Sequence, residues 1–179
     1  MILIGGNSRN CGKTTLACNI IGKLAKSHEV IGLKVTAMRP GEDHLHGNHD
    51  IENSSDFTIF EELDPLTHKD TSRMLQSGAK RVFYIQALDE SIENRLLDFI
   101  SKYSNKQPIV CESRSLRRLI KPSLFLMMIR VTEQGTIKHN MQSFLPLANK
   151  VFDLAKDENE MKQFVDSIQI FDGEIVSAD

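Results

Sequence analysis

The chain has 179 residues, 40% of them apolar and 26% charged, with a formal net charge of −2. That length suits a single domain over residues 1–179 with a sizeable core, and the charge gives no sign of a nucleic-acid or membrane partner. Trp is absent and the three cysteines, Cys11, Cys18 and Cys111, lack CxxC spacing, which argues against base-stacking platforms and disulfide frameworks and for reduced thiols in a cytoplasmic protein.

The chain opens on a short apolar run, Met1-Ile2-Leu3-Ile4, broken by Gly5-Gly6. A strand beginning at Met1 leaves no room for a signal peptide, and no apolar run approaches the roughly 20 residues that span a bilayer. Gly12-Lys13-Thr14-Thr15 follow, and residues 14–26 carry Leu16, Ile20, Ile21 and Leu24 at helical spacing. A strand, a tight loop and a helix opening on Gly-Lys-Thr are the parts of a phosphate-binding P-loop. Asn7, Ser8, Arg9, Asn10, Cys11 and Gly12 would form the loop whose backbone N–H groups close on phosphate oxygens. The new helix adds its free N–H groups and the positive end of its dipole. Lys13 would reach the terminal phosphates of GTP or ATP, the Thr14 hydroxyl would hold Mg²⁺, and Thr15 lies beside them. The usual spacing puts a first Gly where this chain has Asn7; Asn tolerates positive φ best after Gly, so the loop is expected to form with Asn7 in that conformation. Cys11 reads as a small side chain inside the loop, with a redox sensor as the alternative.

Residues 30–35 predict a second buried strand, completing a βαβ unit. Residues 37–55 contain Pro40, Gly41 and Gly47 and few apolar residues, and are expected to be a long loop. Glu42, Asp43, His44, His46, His49 and Asp50 fall in it. They are either a metal site or a solvated cover over substrate, since no cysteine or i, i+4 His pair fixes a geometry. A short helix is expected over 56–63, capped by Ser54 or Ser55, and another over 70–77 stopped by Gly78. Next come a strand at 81–86, a helix at 88–103, a strand at 108–111 ending in Glu112-Ser113, and a turn or short helix at 115–120. The longest apolar run, 124–131, reads as a central strand. Residues 144–154 are ambiguous between helix and strand, 158–168 predict a helix, and 169–176 a last strand with a turn at Asp172-Gly173.

Strands alternating with helices predict an α/β three-layer fold with a mostly parallel central sheet, and ligands in such sheets bind at the carboxyl ends of the strands. That edge gathers Glu112, the candidate acid that orients Mg²⁺ or its water, and Lys34 and Thr36 beside the phosphates, where Lys34 either binds a second anionic ligand or pairs with a carboxylate. Asp70 and Arg73, at i, i+3, are either a surface pair or substrate contacts. Asn149 and Asp153 approximate a guanine-recognition motif with the Asp one residue late, a likeness read as chance.

Gly12-Lys13-Thr14-Thr15, the strand end Lys34-Val35-Thr36, the segment Lys69-Asp70-Thr71-Ser72-Arg73 with Ser77-Gly78-Ala79, and Val110-Cys111-Glu112-Ser113 together resemble the P-loop protein B of molybdopterin-guanine dinucleotide biosynthesis (MobB) over roughly residues 1–130. The resemblance implies a GTP-binding homodimer of the wider class that includes dethiobiotin synthetase. It gives phosphate contacts to Lys13, a Mg²⁺ ligand to Thr14 and acid roles to Asp70 and Glu112. The chain departs from that family at Ala37 and Met38, where paired His stand, at the long 37–67 insertion, and at Ser113, where a Gly stands. The expected function is a weak NTPase acting with a protein partner as an accessory factor in nucleotide-cofactor synthesis. The alternatives are a small-molecule kinase or ATP-dependent ligase, and a non-catalytic nucleotide-binding scaffold. Arg9 is the basic residue expected to act in cis.

Overall fold

The computed structural model describes residues 1–38, 57–88, 92–104, 107–130 and 142–177. The opening apolar run forms β1, Ile2–Gly6, buried at every position. Its side chains alternate as strand geometry requires: Ile2 and Ile4 join one apolar cluster and Leu3 the other. Helix α1 (Lys13–Leu24) buries Leu16, Ala17, Ile20, Ile21 and Leu24 against the first cluster. The chain then returns through β2 (Ile31–Met38), β3 (Phe57–Glu62), α2 (Asp70–Gln76), β4 (Arg81–Leu88), α3 (Ile92–Ser104) and β5 (Ile109–Glu112). A 3-10 turn at Ser115–Arg118, β6 (Leu124–Ile129), a 3-10 turn at Leu145–Leu147, β7 (Lys150–Asp153) and α4 (Glu158–Ser167) follow, and β8 (Ile168–Phe171) and β9 (Glu174–Ser177) end the described chain.

Seven strands make one sheet in the order β3-β4-β2-β5-β1-β6-β7. Every neighbouring pair is parallel except β3–β4. The fold is therefore α/β with a mostly parallel sheet. Its two faces are covered by different helices: α1, α2 and α4 supply Leu16, Met74, Met161 and Phe164 to one cluster, while α3 supplies Leu96 and Ile100 to the other. Burial on both faces explains why the inner strands are apolar runs rather than alternating ones. Because β1, β2, β4, β5, β6 and β7 run the same way, their carboxyl ends share one edge.

Several sequence expectations need correction. Where a helix is expected over 56–63, residues 57–62 form β3, and Asp56 lies outside the described residues. Phe57, Thr58, Ile59 and Phe60 are β-branched or aromatic, and as β3 they pair antiparallel with β4. Phe60 stacks on Tyr84, with centroids 6.4 Å apart, and Arg81 grips Glu61 with two nitrogens at 2.6 and 2.7 Å. Strand β2 continues through Ala37 and Met38, paired with Ala87 and Leu88 of a longer β4, so neither Ala37 nor Met38 belongs to the loop and Leu88 belongs to a strand rather than to α3. The rest of the expected 37–55 loop, with its histidines, lies outside the described residues. Strand β6 is interior but sits one place from the edge of the sheet, between β1 and β7. The ambiguous 144–154 segment splits into a 3-10 turn and β7. The terminal segment is an antiparallel β8–β9 pair, separate from the main sheet, turning at Asp172–Gly173.

Candidate functional site

The loop between β1 and α1 is held by its own side chains. Asn10 (φ 58°) and Gly12 (φ 94°) adopt left-handed backbone conformations, and alternation of that kind turns successive N–H groups into an anion-binding concavity. The first turn of α1 closes when the Leu16 N–H donates to the Gly12 carbonyl at 2.9 Å. A Cβ on Gly6 would stand 2.6 Å from Cys11 Sγ and 2.7 Å from Lys13 Cδ, so the loop packs tightly over the strand end. Lys13 Nζ donates to the Ser8 carbonyl at 2.8 Å, and Cys11 Sγ donates to the same oxygen at 3.2 Å.

Asn7 does not take the positive φ expected of it. Its amide works instead as a clip. Nδ2 donates to the Arg130 carbonyl and Oδ1 accepts the Arg130 N–H, both at 2.9 Å, while the Asn7 N–H donates to Met128 at 3.2 Å. A glycine at position 7 would supply backbone freedom but none of the side-chain bonds.

Sheet register brings the remaining groups together. Ile4 pairs with Glu112, and Glu112 pairs with Lys34, which in turn pairs with Tyr84. Side chains directly opposite one another in a sheet share a face, and Ile4 lies on the α1 side. Glu112 therefore faces α1, where the Thr14 hydroxyl donates to Oε2 at 2.7 Å; both residues are buried, Glu112 at 6% exposure. Lys34 points toward the start of α2 and makes an ion pair with Asp70. Burial acts to raise the Asp70 pKa, but bonding and charge from Lys34, the Thr14 hydroxyl and the Arg73 charge outweigh it and hold it below the ordinary value. Arg73 approaches Asp70 at 3.9 Å and donates to Thr15 Oγ1 at 3.4 Å. Ser8 from the loop thus holds Lys13, Glu112 from β5 holds Thr14, and Asp70 and Arg73 from α2 meet Lys34 of β2 and Thr15 beside them.

No match to this chain was found among protein-family models, curated proteins or solved structures.

Two open clefts of about 430 and 640 Å³ meet here, sharing Arg9, Lys13, Lys34, Thr36 and Glu112. The larger also takes in Asn10, Gly12, Thr14, Thr15, Asp70 and Arg73. Arg9 and Asn10 are exposed at the rim, whereas Cys11 is buried behind the loop. The thiol of Cys111, inside β5, is pushed up by burial, and so is that of Cys18. Asn149 and Asp153 sit at opposite ends of β7; Asn149 Oδ1 accepts the Phe125 N–H at 2.8 Å, so the two side chains do not converge on one base. Among the described residues no helix is long and apolar enough to cross a membrane.

Sequence reasoning missed Tyr84 and Leu154 in the larger cleft, and Arg114, Ser115, Arg118 and Phe144 in the smaller. Tyr84 lies in the middle of β4, and only the register that sets it level with Lys34, itself level with Glu112, brings it to the cleft. Phe144 and Leu154 come from connections whose path the sequence pattern does not reveal.

Proposed function

We propose that this chain is a P-loop nucleotide-binding protein, hydrolysing GTP or ATP slowly, of the MobB-like kind and so an accessory factor in nucleotide-cofactor synthesis. One observation carries the reading: the buried 2.7 Å bond between Thr14, at the start of α1, and Glu112, at the end of β5. A hydroxyl and a carboxylate so joined form an oxygen-donor pair next to Lys13, and oxygen is the donor that Mg²⁺ prefers. The residues suit a Mg²⁺–triphosphate in three further respects. The loop bends its N–H groups through two left-handed residues, Lys13 is within reach of the same space, and the close approach at Gly6 leaves no room for a Cβ.

A bound Mg²⁺–triphosphate would supply the phosphoryl group. In this reading Lys13 exchanges the Ser8 carbonyl for phosphate oxygens. Thr14, whose hydroxyl donates to Glu112, would hold Mg²⁺ through that oxygen, and the Glu112 carboxylate would orient the ion or its water. Asp70, whose carboxyl Lys34 helps hold below its ordinary range, adds a second carboxylate to the same cleft from the α2 side. Arg9, on the rim, is the group available to follow charge on the terminal phosphate.

Thermal unfolding with Mg²⁺–ATP and Mg²⁺–GTP tests the proposal. Ligand at about 100 Kd stabilises by about 2.7 kcal/mol, and Lys13→Ala is expected to remove that gain while leaving the circular dichroism spectrum native. If neither nucleotide stabilises the wild type, or Lys13→Ala responds equally, the proposal fails.

The smaller cleft favours a second reading. It opens directly off Lys13 and Glu112, as the acceptor site of a small-molecule kinase or ATP-dependent ligase would. Nucleotide-dependent modification of an added small molecule distinguishes it from plain hydrolysis.

A further inference from the structure

The two clefts diverge from their shared residues over opposite faces of the sheet. Leu154, in the larger, packs on the cluster beneath α1; Phe144, in the smaller, belongs to the cluster beneath α3. The smaller lobe is cationic. Among the described residues, Arg9, Lys13, Lys34, Arg114 and Arg118 line it with Glu112 as the carboxylate, Lys34 being paired with Asp70, in a chain whose net charge is −2. Two of these cations are held by one aromatic ring. The guanidinium of Arg118 lies 5.3 Å and that of Arg114 5.7 Å from the centroid of Phe144, and Phe144 itself is 3% exposed. A buried ring cannot swing with its partners, so it restricts both arginines beforehand and lowers the entropy lost when a ligand arrives. Between them the Ser113 and Ser115 hydroxyls, 3.2 Å apart, add neutral donors.

From this we infer that the smaller lobe binds a small oxyanionic molecule, a carboxylate or phosphate monoester, as a second substrate beside the terminal phosphate of the nucleotide. The guanidinium fork matches either oxyanion with two parallel bonds. A volume of about 430 Å³ lies in the range of small-molecule sites. An acidic macromolecule would require a basic surface extending well past the lobe, which the net charge of the chain argues against. The lobe meets the nucleotide cleft at Lys13 and Glu112, so its ligand would stand next to the transferable group rather than at a remote site. The role of second substrate rests on the nucleotide reading; binding of the anion itself does not.

The test is calorimetric titration of the full chain with citrate and, separately, glycerol 3-phosphate. Each is run with Mg²⁺ and a saturating non-hydrolysable triphosphate, so that the 7–12 loop is filled. Saturable binding of one probe is expected, and which one binds decides between carboxylate and phosphate. Arg118→Gln, which keeps much of the stem over Phe144, and Arg114→Gln are each expected to weaken that binding about tenfold or more, the loss for one charged hydrogen-bonding group. Arg118→Lys, which keeps the charge and loses the fork, is expected to fall between. If the triphosphate binds but neither probe does, or the arginine variants bind as wild type, this inference is overturned and the nucleotide reading stands. If the triphosphate fails to bind while a probe binds in an arginine-dependent way, the nucleotide reading falls and takes the second-substrate role with it.

Discussion

Replacing Glu112 by Gln separates a chemical role from a structural one. The substitution preserves shape, and the Gln carbonyl can still accept from Thr14 Oγ1 at the observed 2.7 Å. What changes is charge. A hydrogen bond to an ionised group contributes about 1.5–3 kcal/mol and a neutral one about 0.5–1.5, so the bond weakens by roughly 1 kcal/mol. Removing a carboxylate that is only 6% exposed relieves some desolvation in return. The net stability change is therefore expected within about 1 kcal/mol, a Tm shift of no more than about 4 °C for a domain of this size. Function should respond far more. Losing one electrostatic group at a phosphoryl-transfer centre costs about 100-fold or more, near 2.7 kcal/mol. Phosphate release at saturating Mg²⁺–nucleotide measures this, and calorimetry with and without Mg²⁺ should show that only metal-dependent affinity falls. An ordinary strand-end Glu would change neither by more than about 0.5 kcal/mol. A rate within twofold of wild type refutes the assignment and moves it to Asp70, which lines the same cleft as Thr14.

Two further predictions concern the scaffold of the site. Gly12→Ala places a Cβ at φ 94°, 2.9 Å from Met128 Cε; a left-handed non-Gly residue costs about 1–2 kcal/mol, and an unchanged urea midpoint would contradict the loop conformation. Asp70→Asn probes the lowered carboxyl. A depressed pKa stabilises the fold above the ordinary value of 3.8, and that contribution is lost as pH falls through the lower folded value. The variant should be less stable than wild type at neutral pH, and the gap should narrow only below about pH 3.8. A gap that persists unchanged into acid would mean that Asp70 acts by something other than its charge.

The strand–loop–helix opening was legible because its signals are local: an apolar run, two glycines, Gly-Lys-Thr and a helical repeat. Glu112 was legible by rule, since a buried strand must end somewhere polar at the ligand edge. β3 was misread because Ser54, Ser55 and Asp56 imitate a helix cap, while the content that decides its state, Phe57 to Phe60, needs β4 beside it to matter. Asn7 was assigned a backbone role because the pattern compares it with Gly, and its amide bonds reach a residue 123 positions away. A carboxylate partner for Lys34 was one of two readings, but which carboxylate was not legible, since only the packing of α2 against β2 brings Asp70 within reach.

The Asn7 clip has a consequence for how the site comes into being. The Gly-Lys-Thr motif is written in consecutive residues, yet its shape is closed by Arg130 at a separation of 123 and by Glu112 at 98. Such closures are entropically late, because the intervening chain must first be gathered in. The motif, synthesised before β5 and β6, is then among the last parts of the described fold to acquire its final shape. A nascent chain that has passed α2 but not β6 would carry the entire motif and still lack the contacts that shape it.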